Sequence, residues 1–259
     1  MPKPQPNVDF FPWQDGECQV DQTKYDLQKI QMSGCGEYSV VKNADVTMEG
    51  DSQKIDEISG MKVWESSEDL VSYLGTKFVE EQKKKNRDWS ETRILEIGCG
   101  HGLPGMWGLK QGCKVDFQDY SADTLKHVTK VNVPINCSQE QCQRARFFSA
   151  EWSELIRWNL EQEDPLRYDV IVAAECCYDE KSFETIIDML DQLLDVNGVA
   201  FISGKRFYFG CGGGTAAFAD AVDKFVDLKQ KEVWVCENGM SNVREIIQVT
   251  RKHNPRLLG

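Results

Sequence analysis

Arg93-Ile94-Leu95-Glu96-Ile97-Gly98-Cys99-Gly100-His101-Gly102-Leu103-Pro104-Gly105 is the stretch on which the fold turns. Arg93 to Gly98 reads as a buried strand, the glycines as a tight turn, and the residues through about Lys110 as a helix. Glycine admits a positive φ and lets backbone approach a ligand with no Cβ in the way. A nucleotide-like ligand at such a turn sits outside the carboxyl ends of the strands. Alone, the turn leaves open a dinucleotide site, another adenosine-type site, or a purely structural bend.

Strand and helix alternate downstream of it. Strands are expected over Cys113–Tyr120, Arg146–Ala150, Tyr168–Glu175 and Val199–Lys205, the last entered through a turn at Val196-Asn197-Gly198. Helices are expected over Ala122–Val131, Trp152–Leu160 and Ser182–Leu194. The loop Gly210–Gly214, a linker or a substrate gate, leads to a helix over Ala216–Phe225. Glu232–Cys236 and Glu245–Thr250 then form a terminal hairpin. The pattern predicts an α/β, Rossmann-like, seven-stranded, mostly parallel sheet with helices on both faces and a C-terminal antiparallel hairpin.

Upstream, Val63, Leu70, Leu74, Phe78 and Val79 mark one face of a helix, and Glu80 to Arg87 its solvated end. Residues 1–60 read as a small extension preceding a domain over 61–259. Phe10-Phe11-Pro12-Trp13 offers an aromatic anchor, and a short hairpin joins Tyr25–Gln31 to Tyr38–Val41.

Net charge is −12, so the surface repels phosphate backbones, and direct nucleic-acid binding is not expected. The same surface favours basic partners. No apolar run is long enough to span a membrane, and the proline-rich start lacks a secretory core. Ten cysteines contain no Cys-x-x-Cys pair and accompany only three histidines, so no metal site is expected and the thiols act as small buried hydrophobes. A reducing cytoplasm or nucleus, and a monomeric chain, are the expectations. His101, His127 and His253 are expected at the surface.

Asp119 ends the second strand about twenty residues after the turn, where a carboxylate can grip ribose hydroxyls. Nicotinamide enzymes share that acid. Three features favour a methyl donor instead. Glu96 can face the amino-acid and sulfonium end of the ligand; Leu103 stands where the dinucleotide fingerprint has its third glycine; and the terminal hairpin suits a methyltransferase sheet.

The chain resembles class I, seven-strand, S-adenosylmethionine-dependent methyltransferases, and more narrowly the protein-histidine methyltransferases acting on large ribosomal subunit protein three. The resemblance rests on Met61-Lys62-Val63-Trp64-Glu65, Leu95 to Gly105, Phe117-Gln118-Asp119-Tyr120, Phe147 to Glu154, Glu175-x-x-Tyr178 and Tyr208-Phe209-Gly210 followed by Gly212-Gly213-Gly214. It implies donor contacts from Trp64, Glu65, Glu96, Gly98, Gly100, Gly102, Asp119 and Tyr120, with Glu151 and Trp152 bordering the adenine. It implies that Glu175 and Tyr178 stand at the methyl-transfer mouth. Ala150, Cys176, Cys177 and the basic Gly204-Lys205-Arg206-Phe207 depart from the pattern. Protein-lysine methylation and a non-catalytic donor-binding assembly factor are the alternatives. Imidazole is largely neutral at physiological pH, so a histidine acceptor calls for orientation and not for a strong base.

Overall fold

A computed structural model describes residues 5–14, 17–42, 62–236 and 242–252. At its centre β4 (Arg93–Ile97) lies between β5 (Lys114–Asp119) and β7 (Tyr168–Ala174), parallel to both. The sheet extends through β6 (Ala145–Ser149) on one side and β8 (Leu194–Lys205) on the other. β10 (Arg244–Arg251) runs antiparallel between β8 and β9 (Leu228–Cys236), which is the expected terminal hairpin.

Period-two alternation divides the central strands between two cores. Ile94, Val170 and Val172 enter one cluster; Leu95, Ile97, Ile171 and Ala173 enter the other, on the opposite face. α1 runs as Glu65–Tyr73, a π-helical turn Leu74–Phe78 and Val79–Lys84, burying Leu70, Leu74, Phe78 and Val79. Val63 precedes the helix, yet it packs on the same core. α2 (Leu103–Lys110) opens from Gly102 with Pro104 in its first turn, where a missing N–H is harmless. α3 is likewise broken by a π turn, running as Ala122–Thr124, Leu125–Thr129 and Lys130–Asn136, and the short α4 (Gln139–Cys142) follows. The second face is covered by α5 (Trp152–Leu160), α6 (Phe183–Leu193) and α7 (Thr215–Asp223).

Two sequence expectations need correction. Among the described residues the sheet has 8 strands, because β1 (Asp9–Phe10) adds antiparallel to β6 at the edge. Phe10 fastens it, with its ring 4.6 Å from Phe148 and 5.1 Å from Trp158. The turn expected at Val196-Asn197-Gly198 lies inside β8. Tyr168 pairs with Leu194 and Val170 with Val199, so the extra residues are absorbed as a bulge.

The N-terminal hairpin is present as β2 (Leu27–Met32) and β3 (Gly36–Val41). Ile30, Met32, Tyr38 and Val40 join the first core. Asn132 and Asn136 of α3 hold its edge: their side-chain oxygens accept from Val41 N at 2.8 Å and from Ser39 N at 2.8 Å.

Candidate active site

β4 leads to β5 and β6 on one side while β7 and β8 lie on the other, so the strand order reverses between β4 and β7. Crevices outside the carboxyl ends of strands at such a reversal are where α/β sheets bind ligands. The ends are Gly98 and Glu175.

The glycine turn has the predicted geometry. Gly98, Gly100 and Gly102 have φ of 59°, 49° and 74°. A Cβ on Gly98 would lie 2.8 Å from Cys176 Sγ. Asp119, only 4% exposed, caps the turn: Oδ2 accepts from Gly100 N at 3.0 Å and Oδ1 from Ser121 N at 3.0 Å. Burial raises its pKa to about 6 against those hydrogen bonds.

Glu96 is 2% exposed and points into the start of α2, accepting from Gly105 N at 2.8 Å. Burial pushes its pKa well up. It therefore ties the end of β4 to the first turn of α2.

Gln118 links three parts of the cradle, and sequence reasoning had not singled it out. Its Oε1 accepts from Gly98 N at 3.1 Å and from Trp152 Nε1 at 2.9 Å, while its Nε2 donates to Ala150 O at 2.7 Å. A fully buried amide between Phe117 and Asp119, at the end of the strand that follows the glycine turn, was the available signal. Trp152 is thereby fixed beside Gly98. Glu151 and Tyr120 are exposed, Glu151 at the N-cap of α5 and Tyr120 one residue past Asp119. Trp64 is half-buried at the N-cap of α1, with Lys62 Nζ 4.6 Å and Lys205 Nζ 5.7 Å from its ring centre. Glu65 is engaged elsewhere, in an ion pair with Arg244 at 3.0 Å.

Glu175 follows β7 with φ +59°, unusual for a residue bearing a Cβ. Its N–H donates to Ser203 O at 2.8 Å, which ties the kink to β8. Its two carboxylate oxygens accept separately, Oε1 from the Ser66 hydroxyl and Oε2 from the Tyr208 hydroxyl. Ser66 is braced in turn, since Ser203 Oγ donates to Ser66 O at 2.8 Å. Sequence reasoning had named neither Ser66 nor Tyr208 as a site residue. Tyr178 is 39% exposed at the rim, its ring centre 6.4 Å from that of Tyr208.

Gly210 to Gly214 is neither a loose linker nor detached from the site. Gly214 N donates to Cys177 O at 2.8 Å, Tyr208 N to Gly213 O at 3.0 Å, and Gly212 bridges Asp179. A Cβ on Gly213 would come within 2.3 Å of Tyr178 backbone. Glycine permits this contact, which closes the loop over the 177–179 segment.

His101 corrects an expectation. It is 5% exposed, with Nε2 3.2 Å from Val41 O, because β3 covers the turn. Burial lowers its pKa to about 4, so it is neutral. His127 is exposed, as expected, and His253 lies outside the described residues. Cys99, Cys113, Cys142, Cys176 and Cys177 are buried thiols.

Residues 42–209 match the protein family described as "Lysine methyltransferase". The histidine protein methyltransferase 1 homolog of Dictyostelium discoideum is 34% identical over 75% of this chain and 59% of its own length. That of Bos taurus is 32% identical over 75% of this chain and 56% of its own length. EEF1A lysine methyltransferase 3 of Mus musculus is 22% identical over 56% and 55%. The chain thus spans less than two thirds of the curated relatives it matches. A solved chain from Streptococcus mutans, assigned as a SAM-dependent methyltransferase, superposes with a TM-score of 0.58 at 11% identity, covering 87% of this chain and 55% of that one.

Proposed function

Because the chain belongs to the lysine methyltransferase family whose model matches residues 42–209, we propose that it transfers a methyl group from S-adenosylmethionine to a histidine side chain of a basic protein. The substrate we propose is large ribosomal subunit protein three, met in the cytoplasm or nucleus. Relatives named as histidine methyltransferases support the histidine reading, with higher identities than the lysine-directed relative. The flanking strings around Gln118, Glu175 and Tyr208 support the ribosomal one. A chain of net charge −12 is suited to meeting a basic protein.

The cradle fits the donor. Gly98 and Gly100 allow close backbone approach, Asp119 offers a buried carboxylate at a strand end, and Trp152 is fixed beside them. These residues, with Trp64, would hold the adenosine and amino-acid parts of the donor. When bound, S-adenosylmethionine supplies an electrophilic methyl: an N–C bond forms to a ring nitrogen, the C–S bond breaks, the sulfonium becomes a thioether, and one ring N–H proton is finally lost.

One observation carries the histidine reading. Glu175 stands at the mouth with both oxygens already accepting hydroxyl hydrogens. Such a carboxylate is held in place as a hydrogen-bond acceptor. It suits imidazole, whose reactive nitrogen is already unprotonated at neutral pH, better than a lysine ammonium, which must first lose a proton. Accepting the remote ring N–H fixes the tautomer, and it stabilises the positive charge that develops on alkylation. Tyr178 at the rim would flank the incoming ring.

Incubation with labelled donor and ribosomal proteins from cells lacking the enzyme tests this reading. Mass spectrometry is expected to place the label on histidine of large ribosomal subunit protein three. Label on lysine would overturn the histidine assignment, and label on another protein the substrate.

A further inference from the structure

The Ser66 and Tyr208 hydroxyls come from opposite sides of the mouth and end on different oxygens of one carboxylate. Ser66 lies in the first turn of α1, and Tyr208 just past β8. Each is itself directed. Lys205 N–H donates to the Tyr208 hydroxyl oxygen at 3.0 Å, so that oxygen's acceptor capacity is engaged and its single hydrogen is turned to Glu175. Ser66 is held through its own carbonyl by Ser203 Oγ at 2.8 Å. Ser203 also accepts the Glu175 N–H at 2.8 Å, so backbone and side chain of Glu175 are fixed by the same strand end. Gly204 keeps this geometry open, since a Cβ there would lie 3.0 Å from Tyr208 Oη and 3.2 Å from Cys177 Sγ.

Resting on the methyl-transfer reading above, we propose that Tyr208 and Ser66 are positioning residues that lock the Glu175 carboxylate in one rotamer, as an acceptor aimed at the substrate ring. With both hydroxyl hydrogens committed, Glu175 keeps its remaining lone pairs for one N–H of the acceptor. A carboxylate free to rotate would present a different oxygen to each incoming substrate and lose near-attack geometry. Tyr208, not Tyr178, is then the aromatic residue that acts through the acid.

Turnover in a double-mutant cycle tests this, with the full chain, S-adenosylmethionine and large ribosomal subunit protein three as probe. Tyr208→Phe is expected to lower kcat by about tenfold to a hundredfold, the range for losing a hydrogen bond to a charged group. KM for donor and for protein should stay within about twofold. In a Glu175→Gln background the same change should cost less than about threefold, because the two residues act as one unit. Equal losses in both backgrounds would overturn the proposal, as would a loss confined to donor affinity. Methylation of lysine in this assay would sink the histidine reading yet leave the cycle interpretable.

A second readout needs no acceptor. The carboxylate stretch of Glu175, isolated as the infrared difference between wild type and Glu175→Gln, should move to higher wavenumber in Tyr208→Phe and again in Ser66→Ala. Gly204→Ala should produce the same shift by displacing the hydroxyl. A band unchanged in all three, with the fold intact by circular dichroism, would refute the clamp.

Discussion

Donor binding should weaken in acid through one residue, Asp119. Its carboxyl is buried, and its pKa lies at about 6, against an ordinary value of 3.8. Ribose hydroxyls donate best to the ionised form, so a protonated Asp119 must lose its proton before the donor is held. The apparent Kd is the intrinsic one divided by the ionised fraction. That fraction is about nine tenths at pH 7 and about one in eleven at pH 5, giving roughly tenfold weaker binding, about 1.4 kcal/mol. Calorimetry with S-adenosylmethionine at pH 7, 6 and 5, in two buffers of different ionisation enthalpy, reads both affinity and proton release. About 0.9 proton should leave per donor bound at pH 5, and about 0.1 at pH 7. Asp119→Asn should bind more weakly at neutral pH, with almost no slope. Equal wild-type affinities at pH 5 and 7, or a slope that survives in Asp119→Asn, would refute the reasoning. In the ligand-free protein the sign is the reverse of a salt-bridged acid. Stability from this group is fully present below pH 3.8 and is lost as pH rises through about 6, amounting to about 3 kcal/mol.

Other variants report on neighbouring parts of the structure. His101 is buried neutral with its pKa lowered to about 4, so its stabilisation is present above pH 6.5 and is lost as pH falls towards 4. Urea unfolding at pH 7 and 5 should therefore show about 2 kcal/mol less acid loss in His101→Gln than in wild type; identical losses would exclude His101 as the source. Gln118→Ala strips partners from Gly98, Trp152 and Ala150. It should lower stability by about 2–4 kcal/mol in denaturant unfolding and donor affinity by at least tenfold. Gly213→Ala forces a Cβ towards Tyr178 backbone at 2.3 Å. It should undock the loop and reduce kcat at least tenfold, while thermal unfolding shifts by the equivalent of only about 1–3 kcal/mol.

The central strands and the cradle were legible because their signals are local. Short apolar runs mark β4 and β7 and alternation marks β5, while the glycines and Asp119 lie within one strand–helix–strand unit. β1 was missed because two residues are too few to show a period, and its pairing partner β6 lies far along the chain. The turn signal at Val196-Asn197-Gly198 was read correctly as an interruption, but pairing with β7 turned it into a bulge. His101 misled for a different reason. Turn residues face solvent unless something distant covers them, and here β3 does. Tyr208 and Ser66 were beyond reach of spacing arguments, since only the completed sheet aims their hydroxyls at one carboxylate.

That contrast separates the two halves of the site by the length of chain each must close. The cradle contacts of Asp119 and Gln118 span 19 to 34 residues of sequence, and the Tyr208–Glu175 contact spans 33. The Ser66–Glu175 contact spans 109, across strands that must all be in register. Contacts of high sequence separation carry the larger loop-closure entropy and form late in folding. On mild heating, the Ser66–Glu175 contact should therefore open first. A partly unfolded chain would keep the means to hold its donor after losing the means to use it, which makes turnover a stricter gauge of nativeness than ligand binding.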